Sequence, residues 1–111
     1  MKTPRPLIAI DWGTSSLRGA RFDAQGHKLD ERQFPRGILT VAPGEFPAVF
    51  EQSFGDWLQD SEVLCLLSGM VGSRQGWQEA LYCPCPTGFA ELSQHLLWLQ
   101  AGRMAIVPGL S

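Results

Sequence analysis

The chain has 111 residues, 44% hydrophobic and 18% charged, with nine Lys plus Arg against eleven Asp plus Glu for a formal charge of -2. That length predicts one domain that buries a modest core without disulfides or metal. The charge balance offers no basic footprint for nucleic acid, no apolar run is long enough to span a membrane, and the apolar stretch before Asp11 is too short for a signal-peptide core, so a cytoplasmic location is expected.

Leu7-Ile8-Ala9-Ile10 is a short apolar run ending at a carboxylate and a glycine, the pattern of a buried strand entering a turn. Leu17 to Phe22 alternates and predicts a second strand. The turn Asp23-Ala24-Gln25-Gly26 leads to a third, more polar strand over 27–34, which completes an antiparallel meander. Pro43-Gly44 marks a break. Phe46, Val49, Phe50, Phe54, Trp57 and Leu58 then fall on one helical stripe, with Pro47 in its first turn and Gly55 as a weak point. Val63 to Leu67 is wholly apolar and predicts a central fourth strand. Thr87 caps a second predicted helix over 88–100, with Phe89, Leu92, Leu96 and Leu99 on one side and Gly102 as its stop. A fifth strand over 103–107 is closed by Pro108-Gly109.

The predicted order is β-β-β-α-β-α-β. Right-handed crossovers then give an α/β fold with a mixed five-stranded sheet, a three-stranded meander joined to two parallel strands, with helices packed on it. Cys65 lies in the apolar fourth strand and reads as a small core residue. Cys83 and Cys85 alternate with Pro84 and Pro86, a stiff extended stretch far from His27 and His95 in sequence, so it makes a poor zinc site. No serine–histidine–aspartate arrangement is visible.

Two segments stand out for chemistry. Asp11-Trp12-Gly13-Thr14-Ser15-Ser16-Leu17-Arg18 places a carboxylate at a strand end, followed by a glycine and three hydroxyls in a tight reversal. Backbone N–H and hydroxyl donors in such a turn suit phosphate oxygens, and a carboxylate beside them suits Mg²⁺. The same residues also suit a hairpin whose Asp and Ser side chains cap local backbone groups. Ser68-Gly69-Met70-Val71-Gly72-Ser73-Arg74-Gln75-Gly76-Trp77 directly follows the fourth strand. Its glycines allow backbone to approach a ligand, and Ser73, Arg74 and Gln75 suit a hydroxylated anion. A plain connecting loop, with Met70 and Trp77 as core contacts, is the competing reading. Ligands of open α/β sheets bind at the carboxyl ends of strands, where both segments sit.

DWGTSSLR at 11–18 resembles the first phosphate motif of the actin-like ATPase superfamily, and with it the ribonuclease-H-like sheet. SGMVGSRQGW at 68–77, CPCP after it and IVPGL at 106–110 resemble the 2-dehydro-3-deoxygalactonokinase family of sugar kinases. The resemblance implies transfer of the γ-phosphoryl of ATP to the terminal hydroxyl of 2-dehydro-3-deoxy-D-galactonate. It implies that Asp11 serves Mg²⁺, that Asp11, Gly13, Thr14, Ser15 and Ser16 serve the nucleotide, and that Gly69, Met70, Gly72, Ser73 and Arg74 face the sugar acid. Arg18 matches the motif with no role assigned. The family's second lobe carries the adenosine pocket and the base for the sugar hydroxyl. Residues 1–111 therefore correspond to the first lobe as a single domain, with no catalytic base of their own and little or no turnover expected alone. Exposed apolar surface and self-association are the corollary.

A stand-alone anion-binding or interaction module that keeps the sheet without the reaction is the alternative. A metal nuclease on a related sheet is disfavoured, because no second carboxylate stands at the end of the fourth or fifth strand.

Overall fold

The structure, a computed structural model, describes residues 5–72, 77, 96–100 and 103–107. The strands are β1 (Leu7–Trp12), β2 (Leu17–Phe22), β3 (Lys28–Phe34), β4 (Leu64–Ser68), β5 (Leu97–Gln100) and β6 (Met104–Ile106). They form one sheet in the order β3-β2-β1-β4-β6-β5. β1 pairs antiparallel with β2 and parallel with β4; β4 pairs parallel with β6. The expected meander joined to two parallel strands is therefore present, and the apolar β4 is interior, as its composition requires.

Among the described residues the sheet has six strands rather than five. The extra one is β5, antiparallel to β6 at the sheet's edge, and it occupies the last four residues of the predicted second helix. Leu97 and Leu99 are half-buried while Trp98 and Gln100 are exposed, a period of two. Leu96 and Leu99 also satisfy helical spacing, and over so short an apolar run sheet pairing decides between the two periods. Residues 88–95, Gly102 and the Cys83–Pro86 stretch lie outside the described residues.

The predicted first helix splits. Helix α1 (Phe46–Phe54) carries Pro47 in its first turn and ends at Gly55, and a 3₁₀ segment over Gly55–Gln59 continues the chain. The weak point at Gly55 thus ends the α-helix, while Trp57 still reaches the core at 3% exposure.

One face of the sheet builds the core. Ile8, Ile10 and Trp12 of β1, Leu17 of β2, Cys65 and Leu67 of β4, and Met104 and Ile106 of β6 are buried in one cluster with Phe46, Phe50 and Phe54 of α1. Aromatic edges lock the layers: Trp12 meets Phe46 at 5.3 Å and Phe34 meets Phe54 at 5.6 Å between ring centroids. Phe54 sits so close to β2 that a Cβ at Gly19 would lie 2.6 Å from its ring. Burial pushes the Cys65 thiol up to about 12, so it packs as an apolar group and is not a thiolate at neutral pH.

On the opposite face, the registers align Glu31, Ala20, Ala9, Leu66, Ala105 and Trp98 in one row across all six strands. Trp98, at the end of that row, is 43% exposed.

Candidate functional site

Alternation along β1 sends Ile8, Ile10 and Trp12 into the core and leaves Asp11 on the open face, one residue before the strand ends. Asp11 pairs with Arg18 across the hairpin and with Ser68 along the parallel β4. Arg18 Nη2 donates to Asp11 Oδ2 at 2.8 Å, and the two side chains are 58% and 53% exposed. Asp11 Oδ1 accepts no hydrogen bond among the described residues. Both residues border an open hollow of about 510 Å³, lined also by Ala9, Ala20, Glu31 and Gln33. The carboxylate is thus neither buried in a structural pair nor turned away from solvent.

The turn after β1 is asymmetric in its hydrogen bonding. Gly13 N–H donates to Ser16 O at 2.9 Å and closes the reversal. Ile38 N–H donates to Gly13 O at 2.9 Å and Leu39 N–H to Thr14 O at 3.3 Å. Three carbonyls of the turn are therefore occupied. The amides and hydroxyls of Thr14, Ser15 and Ser16 donate to no group among the described residues. Thr14 and Ser15 are exposed and Ser16 is half-buried, so these donors are accessible from solvent. A turn with three of its four carbonyls engaged and the Thr14, Ser15 and Ser16 donors open has the chemistry to take an anion, with the Asp11 carboxylate beside it suited to a cation. The competing expectation, Asp and Ser side chains capping local backbone, is not met at Asp11, Ser15 or Ser16.

The second motif meets the first at adjacent strand ends. Gly69 has φ +94, a conformation that favours glycine. A Cβ there would also lie 2.8 Å from Trp12 O and 3.0 Å from Asp11 Oδ1. Glycine at this position is what lets the β4 end pass beside the Asp11 carboxylate. A 3₁₀ turn over Met70–Gly72 follows, with Val71 buried and Met70 42% exposed. Trp77 returns to the core: its N–H donates to Val71 O at 2.9 Å and its ring stands 6.2 Å from Trp12 and 6.0 Å from Phe50. Of the two residues weighed as core contacts, Trp77 is one and Met70 is not. Ser73, Arg74 and Gln75 lie outside the described residues. Neither the 13–16 turn nor the 69–72 segment lines the hollow, which spreads instead over β1, β2 and β3.

Sequence reasoning missed the segment from Arg36 to Leu39, which lies along the 13–16 turn. Trp12 Nε1–H donates to Arg36 O at 2.8 Å, next to the two amide bonds from Ile38 and Leu39. The only signal was a glycine, Gly37, between strand and helix, and many turns would explain that equally well. No group of three or more metal-ligating side chains exists among the described residues, so any cation here would rest on Asp11 and on ligand oxygens. No helix among them is long and apolar enough to cross a membrane.

Fold and site define an open, mixed α/β domain with a donor-rich turn and a carboxylate at the carboxyl ends of adjacent parallel strands. The chain belongs to the 2-keto-3-deoxy-galactonokinase family, whose model matches residues 11–111. It is 32% identical over 97% of its length to the Rhizobium meliloti protein named "Probable 2-dehydro-3-deoxygalactonokinase DgoK1", and 32% identical over 93% to the 2-dehydro-3-deoxygalactonokinase of Escherichia coli. A crystal structure from Sinorhizobium meliloti, described as that of a 2-dehydro-3-deoxygalactonokinase protein, superposes with a TM-score of 0.77 at 32% identity, over 94% of this chain and 34% of that one. The chain spans about a third of the length of these relatives.

Proposed function

We propose that residues 1–111 form the first lobe of a sugar-acid kinase that moves the γ-phosphoryl of ATP to the terminal hydroxyl of 2-dehydro-3-deoxy-D-galactonate. The observation that carries this reading is the unspent donor set of Thr14, Ser15 and Ser16 beside the exposed Asp11 carboxylate, in a chain of that family. Gly13 lets the backbone reverse, and the three following residues take the terminal phosphate oxygens of the nucleotide. Asp11 fits a magnesium ion that keeps most of its waters, because Oδ1 is open and one carboxylate with phosphate oxygens is a usual Mg²⁺ donor set. When bound, the ion neutralises charge on the transferring phosphoryl group. Gly69, Met70 and Gly72 serve the sugar acid in this reading, and the family resemblance assigns the same role to Ser73 and Arg74.

Phosphoryl transfer asks little covalent chemistry of the protein, since positioning and charge neutralisation dominate. This lobe's share is to fix the phosphates and the cation against the strand ends. The base for the sugar hydroxyl and the adenosine pocket belong to a second lobe, so this chain alone gives little or no turnover.

Competition binding tests the assignment. Inorganic tripolyphosphate displaces ATP from the chain in the presence of Mg²⁺, and adenosine does not. Displacement by adenosine with no effect of tripolyphosphate contradicts it.

A further inference from the structure

Gly37 has φ -64 and ψ 168, a conformation open to any residue. Its need for glycine is instead one of space. A Cβ there would overlap the Thr14 carbonyl and the carbonyl carbon of Ser15, all of it backbone that cannot swing aside. The contact is held from both ends. Trp12 Nε1–H fixes Arg36 O, and the amides of Ile38 and Leu39 take Gly13 O and Thr14 O. Gly37 O is fixed in turn by Thr40, whose N–H and Oγ1–H donate to it at 2.9 Å and 2.8 Å. The indole of Trp12 is fully buried and Ile38 is 3% exposed, so the strap is anchored in the core on both sides of Gly37.

We propose that Gly37 is a positioning residue for phosphate binding, seating the Arg36–Leu39 strap directly on the 13–16 turn. This rests on the phosphate reading of that turn. The strap takes the carbonyls of Gly13 and Thr14 and so leaves the amides and hydroxyls of Thr14, Ser15 and Ser16 as most of the turn's unengaged hydrogen-bonding groups. An anion at the turn then has two fewer free carbonyls to face. A side chain at position 37 forces turn and strap apart, which frees those carbonyls and moves the Thr14, Ser15 and Ser16 amides from their places. Misplacement on the scale of an ångström is costly for a receptor built from fixed donors. Binding energy couples both ways, so an anion held by the turn must also tighten the strap.

The test follows backbone amide hydrogen exchange in the intact chain with and without millimolar MgATP. MgATP binding is then compared in wild type and Gly37→Ala, at a temperature where circular dichroism shows both chains folded. The expected result is slower exchange at Thr14–Ser16 together with Ile38 and Leu39, and binding by Gly37→Ala weaker by about tenfold or more. A merely structural role would lower the melting temperature of Gly37→Ala and leave the affinity of the folded chain unchanged. Protection at Thr14–Ser16 without any change at Ile38 and Leu39, or wild-type affinity in folded Gly37→Ala, overturns the strap's role and leaves the phosphate reading standing. No protection at Thr14–Ser16 in wild type overturns the phosphate reading and the strap with it. Should Gly37→Ala not fold, the wild-type exchange pattern decides by the same criteria.

Discussion

The Asp11 carboxylate and the Arg18 guanidinium meet at 2.8 Å across the first hairpin, and both stay more than half exposed. An ion pair so open to water contributes little to folding, about 0–1 kcal/mol. Arg18→Ala should therefore shift the urea midpoint only slightly. A loss well above 1 kcal/mol would mean that the pair is a structural clamp, and Asp11 would then not be at liberty to exchange partners.

Trp12 is the opposite case. Its indole is fully buried against Phe46 and Trp77, and its N–H is spent on Arg36 O. Trp12→Phe keeps most of the apolar contact but leaves that carbonyl without its donor. The expected cost is about 1–3 kcal/mol in urea unfolding. Faster hydrogen exchange at Ile38 and Leu39 should accompany it; unchanged exchange there would show that the indole does not anchor the strap.

Arg32 reaches Asp56 with two bonds, Nη1 to Oδ1 at 2.8 Å and Nη2 to Oδ2 at 2.7 Å, while its guanidinium lies 4.5 Å from the Trp57 ring centroid. The hydrogen-bonded Arg32 guanidinium holds the Asp56 carboxyl below its ordinary value. A carboxyl depressed in the folded state adds stability that is fully present above about pH 4 and lost as pH falls through the folded value. Asp56→Asn should therefore be less stable than wild type at neutral pH, and the gap should narrow below about pH 4. A gap independent of pH would show that packing, not charge, carries the contact.

Of the row Ala20, Ala9, Leu66, Ala105 and Trp98 on the second face of the sheet, Ala9 and Trp98 are exposed while Ala105 is fully buried. Self-association through this face is expected at high concentration. Sedimentation should show the average mass of the chain rising with concentration, and Trp98→Lys should suppress the rise. A monomer across the whole range would contradict it.

Much of the architecture was readable because each main signal had one physical solution. Leu7 to Ile10 and Val63 to Leu67 are apolar on both faces, which suits interior strands, and the stripe from Phe46 to Phe54 suits a helix, whereas Trp57 and Leu58 fall in the 3₁₀ segment beyond Gly55. Leu97 to Gln100 went the other way, because its leucines fit two periods and only pairing with β6 separates them. At the site, the meeting of Asp11 with Gly69 followed from strand ends alone. Gly37 did not, because its φ and ψ are ordinary and its constraint is a backbone from another part of the chain. Nothing local in Pro35-Arg36-Gly37 announces that contact.

The central claim is that the turn after β1 grips the terminal phosphates of a nucleotide with magnesium at Asp11. Isothermal titration of the chain with ATP, with and without Mg²⁺, in wild type and Asp11→Asn tests it most directly. The account predicts weak, magnesium-dependent binding in wild type that Asp11→Asn abolishes while the chain stays folded. Binding that is equal in the two proteins, or indifferent to Mg²⁺, would contradict it.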